Sequence, residues 1–188
     1  PNSLGTELAK TKAPANAADC HIHIYDARFQ SAIPALQGAL VQDYRLLQKR
    51  TGTSRIVIVT PRNYVVDNAV TVDAIRQFGA SARGVAVLRP TVTDTELKSL
   101  NDGGIRGIRF SLSDPRNAPT SIEMIEPLSA RVNALGWHVQ INMLASLMLL
   151  FLGLYCVISK KNMIKMIIGI EIMAKGALLS FIASGGGS

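Results

Sequence analysis

The sequence is poor in cysteine and has no feature of a secreted, disulfide-stabilised protein. Its 188 residues include two cysteines, Cys20 in a predicted strand and Cys156 in a long apolar run. Two cysteines in such positions do not predict a disulfide framework, and a reducing, cytoplasmic location fits the first part of the chain. Residues 1–17 are polar, lack the apolar core of a signal peptide and are predicted to be a disordered leader.

Charge and proline are scarce in the C-terminal part of the chain. All eight prolines, all three histidines, twelve of the thirteen acidic residues and sixteen of the twenty basic residues precede residue 143. The net charge of +7 is not gathered on one predicted helix, so nucleic acid is not predicted as a partner. The four lysines of the tail flank apolar runs, which is typical of a membrane surface.

Two closely spaced histidines are the main chemical feature of the first part. The segment 19–26 reads Asp-Cys-His-Ile-His-Ile-Tyr-Asp, so that His21 and His23 are two residues apart. In a strand, alternate side chains point to the same face, which puts both imidazoles on one side and the isoleucines on the other. Such a pair can hold one divalent metal or one anionic substrate. The alternative is that the histidines are ordinary core or surface residues.

Apolar runs alternate with segments of helical periodicity along residues 19–141. This alternation predicts an α/β domain with a parallel sheet and right-handed crossovers, although periodicity does not determine whether the sheet closes. The last strand would then be an unpaired edge that favours self-association. The predicted strands are residues 19–25, 55–60, 84–88, 105–110 and 137–141, and the predicted helices are residues 43–50, 68–78, 96–100 and 121–135.

Residues 17–142 resemble the N-terminal part of amidohydrolase-superfamily lactonases, in the branch of 2-pyrone-4,6-dicarboxylate lactonases and galactarolactone isomerases. The resemblance implies a (β/α)8 barrel, which needs eight strands and about 250 residues. Five predicted strands make residues 18–142 a partial TIM barrel. The segments that carry the resemblance are residues 18–29, 55–61, 84–90, 104–110 and 136–140.

The same resemblance implies an active site that opens on His21 and His23 at the C-terminal end of the first strand. Other members of the superfamily bind zinc or a similar divalent metal there, whereas lactonases of this branch can use the histidines without a tightly held metal. The family's further site residues are a histidine on the sixth strand and an aspartate base on the eighth. Neither strand is among the five predicted here, and Asp19 and Asp26 lie beside the first strand, where they cannot replace that base.

Three other side chains are candidates for contact with a substrate. Arg89 and Arg109 follow or end the third and fourth predicted strands, where a guanidinium can hold a substrate carboxylate. His138 lies on the fifth strand, with a direction that the sequence does not reveal. Ordinary salt bridges for the arginines and structural packing for His138 are the alternatives.

Residues 143–183 form two apolar runs around a break at Ser159-Lys160-Lys161-Asn162. No charged residue occurs in residues 143–158, and residues 163–183 contain three. A membrane span needs about 20 apolar residues, so the runs predict a helical hairpin in the cytoplasmic membrane. Two buried helices of a soluble core are the alternative. The final residues 184–188, Ser-Gly-Gly-Gly-Ser, predict a flexible linker.

This tail resembles the first two helices of the K subunit of respiratory complex I and its relatives in membrane hydrogenases and cation/proton antiporters. The resemblance covers residues 144–183 and places Glu171 where that family has a glutamate on the proton path. An acid in an apolar helix is costly, which favours a function. The alternative is that Glu171 only pairs with Lys175, one turn further along.

The sequence therefore supports two functions and one hypothesis about the whole chain. The first function is a lactone hydrolase or isomerase acting on a sugar acid or an aromatic-breakdown acid, truncated and inactive as an isolated chain. The second is a membrane subunit of a complex I-like machine that moves protons through Glu171. The hypothesis is a chimera of two unrelated fragments joined near Asn142.

Overall fold

The computed structural model describes residues 7–32, 39–112, 119–143, 145–159 and 170–177. Two compact units divide the chain, one made of residues 1–111 and 115–141 and the other of residues 112–114 and 142–188.

A five-stranded sheet forms the centre of the first unit. Its spatial order β1-β2-β3-β4-β5 follows the chain, and β1 to β4 pair in parallel. A parallel sheet in sequential order curves toward a barrel, and the predicted partial barrel is thus confirmed as a half-barrel. The strands are β1 Ala18–Ile22, β2 Arg55–Val59, β3 Ala82–Ala86, β4 Ile105–Ser111 and β5 His138–Asn142.

Each of the first four strands is followed by a helix. Helix α1 ends where its sequence predicts, at Gly52, which takes the left-handed conformation with φ of 75°. Helices α3 and α4, predicted at residues 96–100 and 121–135, are Asp94–Asp102 and Ile125–Asn133. Helix α3 begins with a capping box in which Thr93 and Glu96 bond to each other's backbone N–H groups. The helices are α1 Val41–Thr51, α2 Ala69–Phe78, α3 Asp94–Asp102 and α4 Ile125–Asn133.

The core lies between the sheet and these helices. Ile58, Ile108 and Phe110 are fully buried in it. Helix α2 packs so closely on β3 that a Cβ on Gly84 would lie 2.6 Å from Cδ1 of Ile75. Because side chains alternate along a strand, residues on the opposite face, such as Val57 and Val59, point into the concave side of the half-barrel.

The N-terminal segment before β1 has fewer regular features. Residues 7–17 contain no helix or strand, yet the N–H of Ala9 bonds to the carbonyl of Arg50, and the Arg50 side chain bonds to the carbonyl of Glu7. This part of the predicted disordered leader is therefore held against the end of α1. Residues 1–6 lie outside the described residues.

The second unit is helical where it is described. Helix α5 covers Ala145–Ser159, close to the predicted 143–158, and residues 170–177 are also helical. The turn was predicted at residues 159–162, but Ser159 is the last residue of α5. The rest of that turn, most of the second predicted helix and the linker at residues 184–188 lie outside the described residues. Within the described helices, none has the length and apolar character needed to cross a membrane. The predicted transmembrane hairpin is thus not found in this part of the chain.

Candidate active site

His21 and His23 lie on the same face of the sheet, as their spacing predicts. Their ring centroids are 5.0 Å apart and the rings are nearly perpendicular. His21 is the last residue but one of β1, and His23 comes directly after the strand ends at Ile22. Ile22 and Ile24 point the other way and are buried in the core, which fixes the direction of the imidazoles. The pair therefore opens on the concave side, toward the C-terminal end of β1.

One ring nitrogen of His23 is engaged by the neighbouring strand. Its Nδ1 lies 2.8 Å from the carbonyl oxygen of Val59. A carbonyl only accepts hydrogen bonds, so Nδ1 carries the proton and the lone pair is on Nε2. Burial lowers the pKa of His23 more than this bond raises it, with His21 and Arg109 lowering it further. His23 is thus a neutral imidazole near pH 7 with a basic Nε2.

Arg109 places a positive charge close to both imidazoles. It lies on β4 and is half-buried, and its guanidinium lowers the pKa of His21 after the larger effect of burial. Burial also lowers the pKa of Arg109 itself. Among the described residues, Arg109 makes no salt bridge with a carboxylate. A half-buried cation beside two imidazoles produces a positive potential that favours an anion.

Tyr25 is a fourth member of this cluster and is not among the site residues predicted from the sequence. Its ring centroid lies 6.2 Å from that of His23 and 6.5 Å from that of Tyr64. Burial raises the pKa of its hydroxyl, and the nearby Arg109 lowers it. Tyr25 continues the same period of two as His21 and His23, so the signal was present in the sequence. The hydroxyl therefore stays protonated and can donate a hydrogen bond.

His138 lies on the same face as Arg109 but is displaced along the sheet. A Cβ added to Gly107 would lie 2.5 Å from Cε1 of His138, so the ring occupies the space above this glycine. Gly107 and Arg109 are two residues apart on β4 and share a face. His138 is, however, the first residue of β5 and lies at the N-terminal end of that strand. The structure thus gives His138 a packing contact on Gly107.

The structure does not bring Arg89 into the histidine cluster. Arg89 is exposed, lies beyond the end of β3 at Ala86, and lines two cavities that do not include either histidine. Arg109, and not Arg89, is the arginine whose charge affects the pKa of both imidazoles. The two arginines, both candidates for a substrate carboxylate, therefore lie in different surroundings.

The two aspartates of the motif have structural partners. Asp19 accepts a hydrogen bond of 2.9 Å from the hydroxyl of Tyr44. Asp26 accepts two from Arg28, at 2.9 and 2.6 Å, and Arg28 also bonds to Asp73 on α2. The bond from Arg28 holds the pKa of Asp26 below its usual value. Both carboxylates of the motif are thus engaged in hydrogen bonds within the fold.

The donor set does not fit the predicted divalent metal. Across the described residues, no group of three or more His, Cys, Asp or Glu side chains is placed to hold a metal ion. His21 and His23 supply two ligands where zinc takes three or four from the protein, and the charge of Arg109 opposes a cation. In the described part of this chain, the cluster suits an anion better than a metal.

In the tail, Glu171 and Lys175 form an ion pair. This pair is the alternative to a role of Glu171 on a proton path. Lys175 Nζ lies 2.8 Å from Glu171 Oε1, and both side chains are about two-thirds exposed, at 67% and 64%.

Two family models match the sequence. Residues 18–161 match the model described as amidohydrolase, and residues 141–187 match the model described as NADH-ubiquinone/plastoquinone oxidoreductase chain 4L. The first match contains the histidine cluster and all five strands, whereas the second contains Glu171 and Lys175.

Individual relatives match the first part. A 2-pyrone-4,6-dicarboxylate hydrolase of Comamonas testosteroni is 33% identical over 137 residues, which are 69% of this chain and 44% of that protein. The D-galactarolactone isomerase of Agrobacterium fabrum is 25% identical over 137 residues, 68% of this chain and 45% of that protein. The chain thus spans less than half the length of these relatives.

A solved structure is similar to this fold. It is a probable 2-pyrone-4,6-dicarboxylic acid hydrolase of Acinetobacter baumannii with citric acid bound, and it is 25% identical. The TM-score is 0.56, over 73% of this chain and 53% of that one.

Proposed function

The chain belongs to the amidohydrolase family, and we propose that it supplies the first part of a site where a lactone of a small carboxylic acid is hydrolysed or isomerised. The substrate class is a lactone of a sugar acid or of an aromatic-breakdown acid. Relatives named as a 2-pyrone-4,6-dicarboxylate hydrolase and a galactarolactone isomerase support this class.

The observation that carries the proposal is the position of Arg109. A guanidinium that is half-buried, close to two imidazoles and not ion-paired among the described residues is costly to desolvate unless an anion compensates it. A substrate carboxylate gives that compensation through two parallel N–H···O bonds. Arg109 is therefore the anchor for the carboxylate.

The remaining side chains surround the reacting group. Nε2 of His23 accepts a hydrogen bond from water or from a substrate hydroxyl, because Nδ1 already donates to Val59. The protonated hydroxyl of Tyr25 donates to the lactone carbonyl, where negative charge develops in the transition state. His21, exposed at the edge of the cluster, orients the same substrate.

Anion binding is the direct test, and citrate is a suitable probe because a structural relative holds citric acid. Calorimetric titration of the protein should give saturable binding that Arg109→Gln weakens about 10- to 100-fold, the usual effect of losing a charged hydrogen-bond donor. Arg76→Gln, on the exposed surface of α2, is the matched control and should bind citrate as the parent does. Equal binding by the Arg109 and Arg76 variants would refute the role of Arg109.

A second function is favoured by the match of residues 141–187 to the chain 4L family. In this alternative the tail is a hairpin in the cytoplasmic membrane of a complex I-like oxidoreductase, hydrogenase or antiporter, and the first part lies in the cytoplasm. Glu171, with Lys175 as its partner, would carry the proton. The full chain should then remain in the membrane pellet after carbonate extraction, and its release into the supernatant would contradict this function.

The chain as a whole is best explained as a chimera of the two families, joined near Asn142. Two unrelated family matches, which overlap at residues 141–161, and a sharp change in charge near residue 142 support this proposal. Sequencing of the natural coding DNA around codon 143, together with the intact mass of the protein, is the test. A coding sequence that continues from β5 into further strand–helix units would refute the junction.

A further inference from the structure

A cavity of about 460 Å³ lies outside the histidine cluster, at the C-terminal end of β3. This volume is within the range of small-molecule sites. Its walls come from the start of α2, the segment after β3 and helix α3, and they are largely apolar. The apolar residues of the walls include Val66, Val72, Val87, Leu88, Val92 and Leu100.

One cation, Arg89, stands at this cavity. Arg89 also lines the neighbouring cavity of about 340 Å³, together with Ser31, Asn63 and Tyr64. The side chain thus lies between two adjoining spaces and can direct its guanidinium to a ligand in the larger one. Within the described residues, Arg89 has no salt bridge with a carboxylate.

The acidic residues on the cavity wall are committed to other bonds. Asp67 accepts from the N–H of Ala69 at 2.9 Å, at the start of α2. Glu96 accepts from the N–H and the hydroxyl of Thr93, at 2.6 and 2.8 Å, and these bonds lower its pKa. Both carboxylates thus bond at the start of a helix, and among the described residues neither forms a salt bridge with Arg89.

The buried side-chain amide of Asn68 holds the walls of the cavity in place. The Asn68 side chain accepts from the N–H of Val87 at 2.9 Å and donates to the carbonyls of Val87 and Val66, both at 3.0 Å. It also accepts from the hydroxyl of Thr60 at 2.8 Å. The two bonds to Val87 join the segment before α2 to the segment after β3, and both segments line the cavity. A ligand therefore meets an existing space and not one that it must open.

We propose that this cavity is a second binding site, which takes a small monocarboxylate with an apolar body, its carboxylate on Arg89 and its body against the valine and leucine walls. The site is independent of the lactone function, because its lining does not include His21, His23 or Arg109. A polar tricarboxylate fits the Arg109 cluster better, since the apolar walls at Arg89 would leave its extra charges without partners.

The test uses the full chain, with benzoate as the probe. Binding is measured by calorimetry and by changes in the amide NMR shifts around Val87 and Leu100. Arg89→Gln should weaken benzoate binding about 10- to 100-fold. Arg83→Gln is the matched control, because Arg83 is exposed near the start of β3, away from the cavity, and it should leave binding unchanged. Benzamide, which has the same ring without the charge, should bind as weakly to the parent as benzoate binds to Arg89→Gln.

Three outcomes would overturn the proposal. They are equal affinity of benzoate for the parent and for Arg89→Gln, loss of benzoate binding in Arg109→Gln, and equal affinity of the parent for benzamide and benzoate. Because Arg89 is exposed and makes no ion pair among the described residues, the variant should fold, and its unfolding midpoint in urea is measured alongside. Loss of citrate binding in Arg109→Gln, with benzoate binding retained, separates the two sites.

Discussion

Nδ1 of His23 lies 2.8 Å from the carbonyl oxygen of Val59, so the second strand determines which nitrogen of this imidazole faces the concave side. The bond fixes the tautomer and leaves the basic Nε2 toward the substrate space. The same imidazole is half-buried, and burial lowers its pKa. The chemistry of the cluster therefore depends on a main-chain contact that no side-chain substitution at Val59 removes.

The lowered pKa of His23 predicts how stability depends on pH. The unfolded chain binds a proton at this residue near the ordinary pKa of about 6.5, and the folded chain binds it only at lower pH. Its contribution to the free energy of unfolding is fully present above about pH 6.5 and is lost as the pH falls toward the folded pKa. Urea midpoints between pH 8 and pH 5.5 should decrease for the parent and change less for His23→Gln. An equal decrease in both proteins would contradict this prediction.

Replacement of Arg109 by glutamine should raise the pKa of both imidazoles. The guanidinium lowers the pKa of His21 and of His23 by repulsion, and glutamine removes the charge while keeping a polar side chain of intermediate length. NMR titration of the imidazole Hε1 signals measures both values. Arg76→Gln is the control and should move neither, and unchanged histidine pKa values in Arg109→Gln would show that the charge is too distant to act.

Gly107→Ala should push the His138 ring from its place. The new methyl group would lie 2.5 Å from Cε1 of the ring, closer than any stable contact. Overpacking of this kind costs about 1–3 kcal/mol of unfolding free energy. In a His138→Ala background the same change should cost less, since the ring is gone. A double-mutant cycle in urea measures the coupling, and additive costs would argue against the contact.

Tyr64→Phe should destabilise the loop that follows Tyr25. The buried Tyr64 hydroxyl accepts from the N–H of Asp26 at 2.8 Å and donates to its carbonyl at 3.0 Å. Its removal leaves both backbone groups unsatisfied and should cost about 1–3 kcal/mol. Tyr25→Phe is the control, because its hydroxyl has no protein partner in the described part of the chain, and it should change stability by less than about 0.5 kcal/mol. Equal effects of the two changes would be contrary to this account.

A protein of this 188-residue sequence should not turn over a lactone at the rate of its relatives. Catalytic groups of a barrel come from several strands, and removal of a general base typically lowers the rate by about 10²–10⁴-fold. Among the described strands, β5 is an edge without a further partner, which should also promote self-association and is measured by sedimentation at increasing concentration. Turnover of a pyrone or sugar-acid lactone at a relative's rate, abolished by the double change His21→Ala and His23→Ala, would disprove the prediction.

Much of the sheet could be predicted from local patterns, and the exceptions have identifiable causes. The third strand was predicted at residues 84–88 but is Ala82–Ala86. Val87 is buried and β-branched, as a strand residue would be, yet its N–H and carbonyl bond to the side chain of Asn68 and not to a neighbouring strand. The periodicity of the sequence does not reveal that the side-chain amide of Asn68 forms the bonds to Val87 that a neighbouring strand would otherwise form.

The part of the candidate site that depends on local geometry could be predicted from the sequence. The period of two placed His21 and His23 on one face, because that geometry is local to a strand. Arg89 and Arg109 looked equivalent, since both follow or end a strand. Only the curvature of the sheet and the conformation of the segment after β3 separate them, and neither is encoded in residue spacing.

The two faces of this sheet have different dependence on the rest of a barrel. On the outer face, Ile58, Ile108 and Phe110 have 0% exposure, buried by helices that come from the same stretch of chain. On the concave face, His21, Tyr25 and Arg109 are polar and tolerate water. The outer face of the sheet is thus covered by helices close in sequence, while the polar side chains of the concave face point toward the interior of the half-barrel. Such a division lets evolution exchange one half of a barrel for another without first rebuilding the hydrophobic layer that keeps either half folded.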